Sequence, residues 1–505
     1  MSHNLSPISR RALLRRAGAL GVAGPAMSAL GLNLAAMGQA SAANATGYKA
    51  LVCIFMYGGN DAYNTVLATD SASWAAYGTA REISNASGIA LAAPGTPASG
   101  STLHARLGGV LPINPSTAQA GRSFALHPVM GSVRDMFAAN RVAVVANVGP
   151  LSGPTTKAAY LAGAARPPKL FSHNDQQSFW QAFNTEGASN GWGGRMTDLL
   201  MANNSNAMFS AMSLTGNAVW LSGQKAKPFQ MAPSGAIRVG TPDGLLFGSA
   251  TAQQTMRSLM RTTRNNHVFE RDHAAVSARS MDAEGILSTA LPAITAGPWG
   301  SAADPAADPA LKYKDPLTGL ATTNPLALQL QAVARTIAAR QTLGMARQVF
   351  FVSMPNFDSH DEQNATHAQN LAMLAQGMSY FDKTLTAMGV DQNVTTFTAS
   401  DFGRTFASNG DGCDHGWGGH HFVMGGAVKG GNIYGDFPVY GTSDGAGGFT
   451  SENQLAGGVL LPTLGAANYA ATLGKWLGLS DSELLSILPS LSTWNASQRN
   501  LGFMA

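Results

Sequence analysis

Five short apolar runs constrain what this chain can fold into: residues 50–57 (ALVCIFMY), 141–148 (RVAVVANV), 348–354 (QVFFVSM), 394–399 (VTTFTA) and 422–428 (FVMGGAV). None alternates strictly between apolar and polar positions, so each reads as a strand covered on both faces. Helical patterns lie between them. The clearest places Leu371, Leu374, Met378, Phe381, Leu385 and Met388 at spacings of three and four, one apolar stripe, and Gly389 closes it. Further helices are expected over 128–140, 176–183, 255–272, 326–341 and 467–477. Strand and helix alternate, which calls for a three-layer α/β/α sandwich around a mostly parallel sheet. Residues 80–123 and 296–323 are punctuated by Gly, Pro, Ser and Asp, and read as loop insertions in one domain spanning 43–505.

The N-terminus reads as an address. Arg10 and Arg11 precede an Ala/Gly-rich stretch over 17–36, and Ala40-Ser41-Ala42 offers an A-x-A cleavage site. This is the pattern of a twin-arginine signal covering 1–42, with the translocase as its export partner. An uncleaved anchoring helix is the other reading. The chain carries 32 Lys+Arg against 28 Asp+Glu, a formal +4. Arg10, Arg11, Arg15 and Arg16 account for the whole surplus, because residues 1–42 contain no acid. The remainder is balanced and has no surplus for a phosphate-binding face, so no nucleic-acid partner is expected. No later stretch reaches the roughly 18 apolar residues of a membrane span, so none is expected once the signal is removed. The expected location is periplasmic or secreted. Cys53, inside the first strand, and Cys413, beyond the strand tips, are expected to lie too far apart to pair.

Acids and histidines fall just after the strand runs. The first is followed by Gly58-Gly59-Asn60-Asp61, the third by Pro355-Asn356-Phe357-Asp358-Ser359-His360, and the fourth by Ser400-Asp401-Phe402-Gly403-Arg404. Before the fifth comes Cys413-Asp414-His415, then Gly416-Trp417-Gly418-Gly419-His420-His421. Only 12% of the residues are charged, so acids gathered at these places are informative. In parallel α/β sheets, functional groups gather beyond the carboxyl ends of the strands. Carboxylates and imidazoles from separate strands suit one or two divalent ions, zinc or manganese first. Plainer roles stay open: Asp61 as a turn residue, Asp358 and Ser359 as helix caps, Asp401 paired with Arg404 alone. Ser172 is either a helix N-cap or a hydroxyl held where a helix start attracts an anion. The G-x-S-x-G match at Gly441–Gly445 lacks the strand and helix a nucleophile elbow needs.

Several segments recur together: FMYGGNDAYN (55–64), ALHPVMGSVRDMF (125–137), SHNDQQSFW from Ser172, GWGGR (191–195), FDSHDEQ, SDFGR, DHG and GGNIYG (430–435). In this order they resemble a bacterial family of twin-arginine-exported proteins known as a domain of unknown function. That family is similar to a branch of the alkaline phosphatase–sulfatase superfamily. The resemblance implies an alkaline phosphatase-like sandwich with two divalent metals and a hydroxyl nucleophile at a helix start. It places Asp61, Asp358, His360, Asp401 and His415 as metal ligands and Ser172 as the nucleophile. His173 would assist or bind, and Arg404 would contact the anion. Two departures stand out. Asp358 and His360 are only two apart, and Phe402 stands after Asp401 where the phosphatases have histidine. Asp414 or His420 would then complete the ligand set. The function expected is an exported metal-dependent hydrolase acting on a small phosphate or sulfate ester. The alternative is a non-catalytic exported protein of the same fold that binds a surface partner or polysaccharide.

Overall fold

The computed structural model describes residues 47–505 apart from 86, 101, 120, 164 and 165. The expected signal segment, 1–42, lies outside the described residues. Ten strands form the main sheet: β1 (Lys49–Met56), β2 (Val142–Gly149), β3 (Ala211–Ser213), β4 (Phe229–Ala232), β5 (Gly235–Ala236), β6 (Arg347–Met354), β7 (Val394–Ser400), β8 (Gly419–Met424), β9 (Ile433–Tyr434) and β10 (Leu464–Gly465). Across the sheet they run β9-β2-β8-β7-β1-β6-β3-β4-β5, with β10 also on β2. Neighbours are parallel except β7–β8, β8–β2 and β4–β5.

The apolar runs explain the layers. Along β1, Ala50, Val52, Ile54 and Met56 enter one buried cluster, while Leu51, Cys53 and Phe55 enter another. Successive side chains point to opposite faces, so a strand apolar at every position needs a helix layer on each side. On the first face lie Gly131–Ala138, Pro325–Ala338 and Gln363–Ala387, the last through Leu371, Leu374, Met378, Phe381 and Leu385. On the second lie His173–Ala182, Trp192–Leu200, Ala466–Leu477 and Asp481–Ile487. The molecule is therefore a mixed α/β sandwich with a large, mostly parallel central sheet.

Register sets the functional edge. Met56, the last residue of β1, lies opposite Met354 of β6 and Ser400 of β7. The three parallel strands thus end flush. Asp401 follows one residue past its strand and Asp358 four past its own. Because β8 is antiparallel to β7, the loop joining them returns to the same edge and carries His415 there.

Some expectations need correction. The helix expected over 255–272 is two helices, Ala250–Arg261 and Val268–Ala290, separated by the polar break at 262–267. The fifth strand is Gly419–Met424, earlier than expected, because the chain turns at Gly425 with φ +149. Part of 80–123 is ordered as the helix Leu103–Leu107 and the strand Leu111–Ile113, which pairs with Phe124–Leu126. Within 296–323, Lys312–Lys314 pairs with Ala321–Thr323. Cys53 and Cys413 are both buried and free.

Candidate functional site

The turn after β1 makes the site possible. Gly58 and Gly59 hold φ of +114 and +90, and a Cβ at Gly58 would collide with the amide of Asp358. At Gly59 it would collide with the Phe402 ring. Glycine alone lets the segments after β1, β6 and β7 close on one another.

Arg404 ties that junction together. It is fully buried. Its Nε donates to Gly59 O at 2.9 Å, Nη1 to Cys413 O at 3.2 Å, and Nη2 to Phe357 O at 3.2 Å. Nη2 also reaches Gly58 O and the Asp358 carboxylate, and Nη1 lies 3.5 Å from His360 Nε2. The guanidinium has five N–H donors, and the partners around it occupy them. Arg404 is therefore corrected from an anion contact to a residue that fixes the loops and positions Asp358.

Asp358 stands at the centre of the cluster. His173 Nε2 is 3.4 Å from its Oδ2, while His360 Nε2 and His415 Nε2 are 3.2 and 3.5 Å from its Oδ1. Burial alone would raise the Asp358 carboxyl; Arg404, with His173 and His360, holds it below its ordinary value. Ligand atoms of His173, Asp358 and His415 all lie within 4.8 Å of one another. A tetrahedral ion with bonds near 2.1 Å would separate its ligand atoms by about 3.4 Å, close to the His173–Asp358 and His415–Asp358 spacings.

Each imidazole is oriented by a second group. His415 Nδ1 lies 2.8 Å from Phe171 O, which can only accept, so the proton sits on Nδ1 and Nε2 keeps its lone pair. Burial lowers the His415 pKa and favours that neutral form. Phe171 presents this carbonyl from a left-handed backbone, φ +70. His173 Nδ1 lies 2.8 Å from Asp401 Oδ2, an interaction that raises its pKa against the cost of burial. The same Asp401 oxygen accepts from the Gly58 amide at 3.0 Å and Gln177 Nε2 at 2.8 Å. Asp401 thus orients His173 from behind and, as placed, does not reach the Asp358 cluster itself. Gln177 escaped the sequence reading; its place one helical turn after His173 is the signal that could have found it. The Gly58 amide and the Phe171 carbonyl are backbone groups and leave no such signal.

Besides Asp401, three expected ligands lie elsewhere. Asp61 is buried and bidentate with Arg81, at 2.5 and 2.9 Å, and also accepts from Gln363 Nε2 at 2.6 Å and the Tyr63 amide. Its lone pairs are occupied, and Arg81 keeps it charged although burial opposes this. It is corrected to the anchor of the turn after β1. His420 lies within β8, accepting from the Asn147 amide at 3.0 Å and stacking on Phe437, so it points into the core. Asp414 stands on the exposed rim, 3.4 Å from His360 Nδ1 and bonded to Asn409. His360 does join the cluster, its Nε2 2.9 Å from His415 Nε2. Ser172 precedes His173 at the helix start, but its hydroxyl donates to Asp175 Oδ2 at 2.8 Å.

With this geometry in view, the family model described as "Protein of unknown function (DUF1501)" matches residues 48–488. The chain belongs to this family. No curated protein matches the sequence. Among solved structures, one described as "Crystal structure of Ps i-CgsB in complex with k-i-k-neocarrahexaose" is 8% identical at a TM-score of 0.33, covering 90% of this chain and 77% of that one. Another, described under the metabolism of multiple glycosaminoglycans by Bacteroides thetaiotaomicron, is 10% identical at a TM-score of 0.31, covering 87% and 74%. At such scores neither likeness bears on chemistry. The segments FDSHDEQ, SDFGR and DHG, which supply Asp358, His360, Asp401, Arg404 and His415, lie within the matched residues. No helix among the described residues is long and apolar enough to cross a membrane.

Proposed function

We propose that this chain is an exported, metal-dependent hydrolase of phosphate or sulfate esters. One observation carries the proposal: His173, Asp358 and His415, from three separate segments, converge their ligand atoms at one place. Each imidazole there is held by a partner on its other nitrogen, as metal-ligating histidines are. These three residues would hold a divalent ion, zinc or manganese. When bound, the ion would polarise the ester and favour ionisation of a nearby hydroxyl.

The chain's own residues supply the rest. A cleft of about 450 Å³ opens beside the cluster, lined by Tyr57, Gly58, His173, Gln177, Asn356, Asp358 and Thr366. In this proposal His360, half-exposed between Asp358 and Asp414, would give a proton to the departing alcohol. Ser172 is the nucleophile of this proposal. Its Oγ would pass its proton to Asp175, to which it already donates, and bond to phosphorus or sulfur as the alcohol departs. Water would then cleave the seryl ester, releasing inorganic phosphate or sulfate and restoring the hydroxyl. Delivery by the twin-arginine route to the periplasm or beyond completes the reading.

A second reading has one observation in its favour: among the described residues no Lys or Arg lines the cleft, and Arg404 is occupied. A non-catalytic exported protein that keeps a structural ion and binds a surface partner or polysaccharide needs no such cation. Metal analysis of the purified chain, with turnover of 4-nitrophenyl phosphate and 4-nitrophenyl sulfate, separates the two. The hydrolase reading expects bound metal, lost in Asp358→Ala and His415→Ala, and turnover lost in Ser172→Ala. Metal-loaded protein inert toward both esters supports the second reading. A folded chain that takes up no metal overturns the hydrolase reading.

A further inference from the structure

At the β4–β5 edge of the sheet two helices form a hairpin; the second sets Ala283 and Leu287 in the core, and the first is held to it by charge. Arg257 and Arg261 of Ala250–Arg261 pair with Glu284 and Asp282 of Val268–Ala290, at 3.1 and 2.7 Å. No residue of Ala250–Arg261 is buried. Apolar side chains collect in water here. Of thirteen exposed large hydrophobic residues among those described, eight fall between 237 and 286, including Phe247 at 93% exposure and Phe269 at 74%. Exposed apolar residues gathered in this way mark an interaction surface.

Charge says what the surface would meet. Residues 225–290 carry eight Lys+Arg against five Asp+Glu, a local surplus in a chain whose total beyond residue 42 is balanced. Asp282 and Glu284 are paired with Arg238, Arg257 and Arg261, which leaves five cations against three acids. Between the hairpin and the sheet edge runs a groove of about 630 Å³ whose charged lining residues, among those described, are Lys225, Lys227 and Arg279. Phe229, Ile237 and Val276 line it as well.

We propose that this face docks on an anionic lipid bilayer. Phe247 and Phe269 would enter the interface, while the lysines and Arg279 meet headgroup phosphates. No residue of the candidate site comes from 225–290, so docking leaves the cleft uncovered by its own contacts.

The test is sedimentation of the full chain with phosphatidylcholine vesicles, alone or mixed equally with phosphatidylglycerol. Keeping the full chain holds the N-terminal segment constant across variants. Binding is expected to the mixed vesicles, to weaken with salt, and to fall about tenfold in Phe247→Ser/Phe269→Ser and in Lys225→Glu/Lys227→Glu. All four positions lie outside the buried core, so thermal midpoints should not move, and loss of binding then reads the surface. Absence of binding to mixed vesicles overturns the proposal, as does binding that neither pair of substitutions changes. A concentration-dependent dimer abolished by the phenylalanine pair, without vesicle binding, would overturn it in favour of a second copy.

Discussion

Asp401 accepts three hydrogen bonds through one oxygen, from the Gly58 amide, Gln177 and His173, while its buried Oδ1 has no partner. The charge is there to hold an imidazole. In Asp401→Asn the fold should survive and the amide oxygen can still accept from His173, but the negative charge behind the imidazole is lost. Metal affinity should fall by about 10- to 100-fold, the range for substituting an outer partner of a ligating histidine. Competition with a chelating dye measures this, and unchanged affinity would remove Asp401 from the site. Asp61 makes the opposite case. It and Arg81 are both fully buried, so Asp61→Asn leaves a charged guanidinium without its counter-ion. The expected loss is about 3–5 kcal/mol of stability in urea unfolding, with metal content per folded chain unchanged. Metal lost in step with a small stability change would instead make Asp61 a ligand.

Among the elements, the turn after β1 carries the most consequence. Gly58→Ala puts a methyl group against the Asp358 backbone at a φ that L-residues avoid, and it disturbs the amide that Asp401 accepts from. A loss of at least about 2 kcal/mol is expected, together with weakened metal binding, since both outcomes trace to one displaced loop. Calorimetry and metal titration of the same sample check it. If Gly58→Ala keeps wild-type stability, the close approach is not required. The same turn shows why much of the site was legible from sequence. Strands apolar on both faces announce a covered sheet, and parallel strands ending flush bring their outgoing loops to one edge, so Asp358 and His415 could be singled out. Which carboxylate faces the cluster was not legible. Asp61 follows β1 as Asp401 follows β7, yet Arg81, twenty residues on, turns one aside while His173 engages the other. Partners distant in the chain decide such cases. Arg404 misled for a related reason: its role lies in carbonyls, which leave no trace in residue type. The helix break at 262–267 and the short strands near 111 and 312 also escaped, since elements of three residues carry too little pattern to read.

The molecule as a whole keeps several imidazoles neutral in its interior. His367, His420 and His421 are buried, and burial lowers their pKa values to about 4, 3 and 3. His367 lies against Asn60 at 3.0 Å, His420 accepts from the Asn147 amide, and His421 packs on Trp180 and Tyr469. None belongs to the proposed metal set. In the unfolded chain each would titrate near 6.5, so between that value and the folded pKa the unfolded state binds more protons and stability is lost as the pH is lowered. Each contributes roughly 1.4 kcal/mol of loss by pH 5.5, so the three together contribute roughly 4 kcal/mol, a large part of the stability of an ordinary domain. The depressed carboxylates Asp61 and Asp358 act in a different window: their contribution is present above about pH 4 and fades only below it. Acid destabilisation should therefore begin well above the carboxylate range. Urea midpoints measured on metal-free chain at pH 7.5, 6.5 and 5.5 should drop steadily. His421→Asn, which removes one titrating group, should flatten the slope by about one third even if it lowers stability at every pH. Midpoints that stay level down to pH 5.5 would mean that these imidazoles gain protons without unfolding, and that water reaches the interior around β8.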